Sequence, residues 1–187
     1  MVMQETPDAG LLTRIPVIED VLSDHASQLG RDFTAYRNHV YRVANLCLAI
    51  SGHNAVDREK IAIAAVFHDL GIWTDDTFDY IPPSVAVARE YLTRREMADW
   101  IPEVAAMIMH HHKVTATHTN PPSLVESFRR ADWIDVTRGL RTFGLPRSFV
   151  ATVIANWPNA GFHRRLVQLT VDRFKSHPLT PLPMLEW

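Results

Sequence analysis

The sequence predicts an all-α protein, a compact multi-helix bundle. Three observations carry this expectation. Apolar residues recur at helical spacing almost throughout. Convincing strand alternation is absent. Gly, Pro and Asx residues fall mainly where helical segments would start or stop. The chain has 187 residues, of which 47 % are hydrophobic. That is enough for a sizeable core and reads as a single domain over 1–187, built from about seven or eight helices.

The first helix is expected from Pro16, at an N1 position, to Gln28, with Gly30 as a stop. The second spans Thr34 to Ser51, with His39, Val43, Leu46 and Ile50 on one face and Gly52 just beyond. The third follows Asp57 as N-cap and carries IAIAAVF, whose alanines favour a buried helix over a strand. Residues 71–83 read as a loop, after which Ser84 caps the helix VAVAREYL. Pro102 opens a helix that aligns Ile101, Val104, Ile108 and His111. A second loop covers 114–122. Ser123 and Glu126 then form a capping box before a helix with Leu124, Phe128 and Asp132 on one face. The C-terminal helices are expected within 148–176, broken by PNAG, with an extended Pro-rich tail over 177–187.

The formal net charge is −2, which gives no support for a general nucleic-acid or membrane binder. No window offers the roughly 18 apolar residues of a membrane span, and no signal peptide is read at the N-terminus. The single cysteine, Cys47, excludes an intramolecular disulfide. These features together lead to a cytoplasmic expectation.

His68-Asp69 ends a very apolar helix immediately before a loop. Burying an ionised Asp there is costly without a partner, and a divalent cation would satisfy both side chains. His39 and Asp132 also lie on apolar helix faces. Four polar residues on inward faces of three helices are hard to explain as independent core accidents.

The order His, His-Asp, Asp resembles the HD-domain superfamily of metal-dependent phosphohydrolases. The matching residues are His39 in YRNHVYRVA, His68-Asp69 in AAVFHDLGIW and Asp132 in RRADWIDV. The resemblance covers about Thr34 to Gly139. It implies a helical bundle in which His39, His68, Asp69 and Asp132 ligate one divalent cation. Mn, Fe, Co, Ni, Zn and Mg all remain open for such a mixed ligand set. In subfamilies with further ions, an extra histidine is expected where this chain reads YIPPSVAVARE and has none. The other extra position matches the run His110, His111, His112, so one ion is expected ahead of two. The GYP signature of cyclic-dinucleotide phosphodiesterases is absent. Ile72 stands where other members often carry Glu or Lys.

The three consecutive histidines cannot all face one cleft. Helical phase makes His111 the inward member, a candidate acid–base group, with His112 next. His110, His112 and Lys113 are candidates for substrate contact. Asp75 and Asp76, just after the metal pair, are candidate general bases. Arg42 and Arg138 are candidate phosphate contacts. Trp73 and Trp133 flank the motif, as core residues or as stacking surfaces.

The function expected is a metal-dependent hydrolase acting on a phosphate ester or nucleotide through a metal-activated water. Two alternatives remain: an HD-type hydratase or lyase of a nitrile-like small molecule, and a non-catalytic metal-containing ligand-binding module. The partners expected are a small-molecule substrate and, in solution, a second copy of the chain as a homodimer.

Overall fold

The structure, a computed structural model, describes residues 10–52, 54–116, 123–180 and 182–184. Parts of the expectations for residues 1–9, for the loop at 117–122 and for the end of the tail at 185–187 lie outside the described residues. Ten α-helical segments follow in order: α1 Pro16–Asp24, α2 Ala26–Leu29, α3 Phe33–Ser51, α4 Ala55–Phe67, α5 Gly71–Thr74, α6 Ile81–Arg94, α7 Ile101–His110, α8 Leu124–Val136, α9 Arg147–Asn156 and α10 Phe162–Ser176. Among the described residues there is no strand. None of the described helices is long and apolar enough to cross a membrane.

The centre is α3, whose stretch from Ala35 to Leu48 is buried almost without interruption. Its most extensive neighbour is α8, followed by α4, while α7 bridges α4 and α8 and α1 packs mainly on α4. Ile18, Leu22, Val43, Ile63, Ile108 and Ile134 are all fully buried in this core. Gly52 ends α3 in the left-handed conformation at φ 63°, which costs glycine nothing sterically.

Several boundaries differ from the expected ones. The first helix breaks at His25, whose ring nitrogen binds the Val21 carbonyl at 2.9 Å, leaving α1 and the single turn α2. Asn54, rather than Asp57, caps α4. Its side chain accepts from Asp57 N at 2.9 Å, since the cap must precede the helix with extended backbone. The segment 71–83 is not simply a loop. It holds α5, and α6 begins at Ile81 with Pro82 and Pro83 in its first turn, where a missing N–H removes no helical bond. Ser84 therefore lies inside α6. Its Oγ accepts from Gly71 N at 2.9 Å. The last helices match expectation within a residue, and Ser123 does cap α8 by accepting from Glu126 N at 3.3 Å.

The tail is not extended over its described part. It turns back so that Met184 packs with Ile72, Phe78 and Tyr80. Burying this thioether against aromatic side chains outweighs the extended preference of the flanking prolines.

Candidate metal centre

Two helix pairs create the centre. On α3, His39 and Arg42 are three residues apart and so share a face. On α8, Asp132 and Asp135 have the same spacing. Packing α3 on α8 places His39 Nδ1 2.6 Å from Asp135 Oδ2. Arg42 clamps the same carboxylate with two nitrogens, Nε on Oδ1 and a terminal nitrogen on Oδ2 at 3.0 Å. It also donates to the Trp157 carbonyl at 2.9 Å. All three side chains are buried.

His68 and His111 follow the last residues of α4 and α7. Helix C-termini leave carbonyls without intrahelical partners, and each histidine uses one. His68 Nδ1 donates to Ala65 O at 2.8 Å, and His111 Nδ1 donates to Ile108 O at 2.6 Å. His39 Nδ1 donates to Asp135. Three imidazoles thus carry a ring proton on Nδ1 and turn Nε2 inward, bare whenever the ring is neutral.

These Nε2 atoms converge on two carboxylates. His39 and His68 bring theirs to 2.8 Å of one another. Asp69 Oδ2 lies 3.4 Å from the first and 3.5 Å from the second. Asp132 Oδ1 is 3.8 Å from each. His111 Nε2 is 3.4 Å from Asp69 Oδ1, and His112 Nδ1 is 3.3 Å from Asp132 Oδ2. Asp69 Oδ1, His111 Nε2 and both Asp132 oxygens are buried with no hydrogen-bond partner among the described residues.

Such a cluster is unfavourable without a cation. With both rings neutral, the His39 and His68 lone pairs 2.8 Å apart repel, and unpaired buried acceptors cost about 1–3 kcal/mol each. The spacing suits a shared ion. Donors about 2.1 Å from one centre and at right angles lie about 3.0 Å apart. The second nitrogen of each histidine is held by a carboxylate or a backbone carbonyl, as metal-binding imidazoles require. His39, His68 and Asp69 could hold one ion, and Asp69, His111 and His112 form a second group sharing the same aspartate.

Electrostatics agree with this reading. Burial is the largest influence on His39 and pushes its pKa down, but Asp135 and Asp69 together outweigh it and raise the value to about 9. A proton on His39 Nε2 is then the substitute for a cation between the two rings. His68, buried with no compensating hydrogen bond to a carboxylate, falls to about 3. Burial lifts Asp132 to about 7 despite the pull of His111 and His39. Asp69 faces the same burial, yet the imidazoles around it hold it well below the usual carboxylate range.

The structure therefore gathers His39, His68, Asp69 and Asp132, adds His111 behind Asp69, and sets His112 at the rim. It does not bring in the remaining expected residues. Asp75 and Asp76 are exposed at the end of α5, because that single turn directs the chain away from the cluster. Arg42, expected toward substrate, is consumed by Asp135. Arg138 is exposed at φ 53° and lines a separate cavity of about 240 Å³ with Asn159 and His163. His110 is half-buried on the last turn of α7. Lys113 contributes its carbonyl, which accepts from Arg129 and from Trp133 Nε1 at 3.2 Å each. Trp73 is a packing residue, 4.7 Å from the Tyr36 ring and donating to Asp32.

Four residues escaped sequence reasoning. Asp135 carried a usable signal, its i+3 spacing from Asp132 on an inward face. Tyr80, whose hydroxyl is 2.7 Å from His112 Nε2, carried none. Phe162 stacks on His39 with ring centroids 4.0 Å apart. His163 Nε2 lies 3.1 Å from the Asp135 carbonyl.

A cleft of about 360 Å³ adjoins the cluster at Tyr80, His112 and His163. The other cluster side chains are sealed from solvent, His39, His68 and His111 completely so.

The HD domain family model matches residues 36–137, more than half of the chain, and includes every member of the cluster. The protein belongs to the HD domain family, whose members are typically metal-dependent hydrolases of phosphohydrolase type. No curated protein and no solved structure gives a significant match to the chain.

Proposed function

We propose that the protein is a metal-dependent hydrolase acting on a phosphate ester, with His39, His68, Asp69 and Asp132 as ligands of a divalent cation. The observation that carries this reading is the convergence of bare imidazole Nε2 atoms on buried carboxylates without hydrogen-bond partners. When bound, a divalent cation supplies a more acidic water and polarises a phosphoryl oxygen.

The chain's own groups do the rest. Asp135 holds the His39 tautomer, and Arg42 holds Asp135. His111 Nε2 faces the far oxygen of Asp69 at 3.4 Å. His112 is the cluster imidazole that reaches the cleft, with its side chain 15 % exposed. Its Nε2 meets the Tyr80 hydroxyl and its Nδ1 faces Asp132. Burial and the neighbouring imidazoles push the His112 pKa well down, so this pair can orient a reacting group at the rim by hydrogen bonding rather than store a proton there. Burial around the cluster keeps competing water away.

A panel of phosphate monoesters and nucleotides, assayed with each of Mn, Fe, Co, Ni, Zn and Mg, tests the reading. Turnover that chelation abolishes and His68→Ala removes is expected. Undiminished turnover in either case would overturn the mechanism.

A second reading is hydration of a neutral nitrile-like molecule at the same centre. It is favoured by the cleft walls, which among the described residues include no Lys or Arg. Cyanamide assayed beside the ester panel separates the two reactions.

A further inference from the structure

The walls of the cleft restrict the organic part of the substrate. Trp133 and Val136 of α8, Leu166 and Val167 of α10, and Leu182 and Met184 of the returning tail form them. The Tyr80 hydroxyl and His112 meet where the cleft adjoins the cluster, and His163 also lines it; the Thr170 hydroxyl on the wall is already bonded to Leu166 O. Among the described residues, no Asp, Glu, Lys or Arg lines this cleft. Two guanidinium groups expected to meet phosphate do not line it: Arg42 is tied to Asp135, and Arg138 lines the smaller cavity.

A polyphosphate ligand requires cationic partners, usually guanidinium or ammonium groups. Among the described residues, nothing lining this cleft offers them beyond the cluster itself. An apolar wall with polar groups at one end instead suits a ligand with one reactive end and an apolar body. The volume of about 360 Å³ corresponds to about a dozen water volumes. A bicyclic aromatic ring system or a chain of similar bulk would fill it.

We propose that the substrate carries a single polar reacting group on an apolar body of this size, seated between α8, α10 and the C-terminal tail. Nucleoside polyphosphates are therefore poor ligands. This rests on the reading of the His39–Asp132 cluster as the reacting centre, but not on which bond is cleaved there. The tail takes part directly, because Leu182 and Met184 close one side of the cleft.

The test is calorimetric titration of the metal-loaded 187-residue chain with 1-naphthylphosphonate, methylphosphonate, ADP and 1-naphthol. The naphthyl phosphonate is expected to bind at least about tenfold more tightly than the methyl compound, with ADP no tighter than the latter. Val167→Asp and Leu182→Asp, at exposed positions of the cleft wall, should each collapse the ratio of naphthyl- to methylphosphonate affinity towards one, because a charge there disfavours an apolar body. Equal binding of the two phosphonates, or tighter binding of ADP, would overturn the proposal. If neither phosphonate binds but 1-naphthol does, and Val167→Asp abolishes it, the apolar site stands and the phosphate-ester reading falls. If no naphthyl compound binds, the proposal falls by itself.

Discussion

Replacing Asp135 by Asn tests the support of the centre without touching any proposed ligand. In the native protein both carboxylate oxygens accept: Oδ2 from His39 Nδ1 at 2.6 Å and from Arg42 at 3.0 Å, and Oδ1 from Arg42 Nε. An amide has one acceptor oxygen, so its NH2 must face either Arg42 or His39. Facing His39, it would force the ring proton onto Nε2, where it points at His68 and blocks metal ligation. Facing Arg42, it sets donor against donor and leaves a buried guanidinium without its counter-charge. Loss of such supporting carboxylates costs about 10- to 100-fold in metal affinity, or about 1.4–2.8 kcal/mol. Breaking the buried pair costs about 3 kcal/mol of stability as well. Competition against a chromogenic chelator measures the first effect and urea unfolding of the chelated protein the second. A folded Asp135→Asn protein with native metal affinity would refute the assigned role of the His39–Asp135–Arg42 triad.

Three further outcomes follow from the same geometry. The folded-state pKa of His39 is raised from 6.5 to about 9, so its contribution to metal-free stability is complete below pH 6.5 and disappears as pH rises through 9. Chelated protein should lose up to about 3 kcal/mol between pH 7 and pH 9.5 in urea titrations, whereas metal-saturated protein, with a cation in place of the proton, should not; equal stability of the chelated protein at both pH values would contradict this. Gly71→Ala would place a Cβ 2.5 Å from Tyr80 O and 2.9 Å from Ser84 Oγ; it should lower the unfolding free energy by about 1–3 kcal/mol and displace Tyr80 from His112, measurable as reduced turnover. Ser123→Ala removes the cap of α8 and should cost about 1 kcal/mol in thermal unfolding, with metal affinity unchanged because the cap lies two turns from Asp132.

The parts of the fold visible in the sequence were those governed by local periodicity. The 3.6-residue repeat of α3 and α8 placed His39 and Asp132 on inward faces, and the apolar run of α4 made His68-Asp69 conspicuous. Caps were less certain: Asn54 and Asp57 are both suitable residue types, and only the backbone at Asn54 decides between them. What stayed hidden depends on long-range contacts. Arg42 looked available to substrate because its partner Asp135 lies 93 residues away. Asp75 and Asp76 adjoin the metal pair in sequence, yet one turn of helix carries them to the surface. Tyr80 reaches the rim only because α6 docks against Gly71, where any side chain would collide with the Tyr80 carbonyl. The apolar cleft needed the tail to fold back, which three prolines in a short segment did not suggest.

Metal analysis of the untagged 187-residue chain is the most direct test of the centre. Wild-type protein exposed in turn to Mn, Fe, Co, Ni, Zn and Mg should retain about one divalent ion per chain, or a second where Asp69, His111 and His112 also fill. His68→Ala should retain far less while remaining folded. Wild-type protein that is folded yet retains none of these ions would contradict the account, since the buried carboxylates and bare imidazoles would then require another explanation.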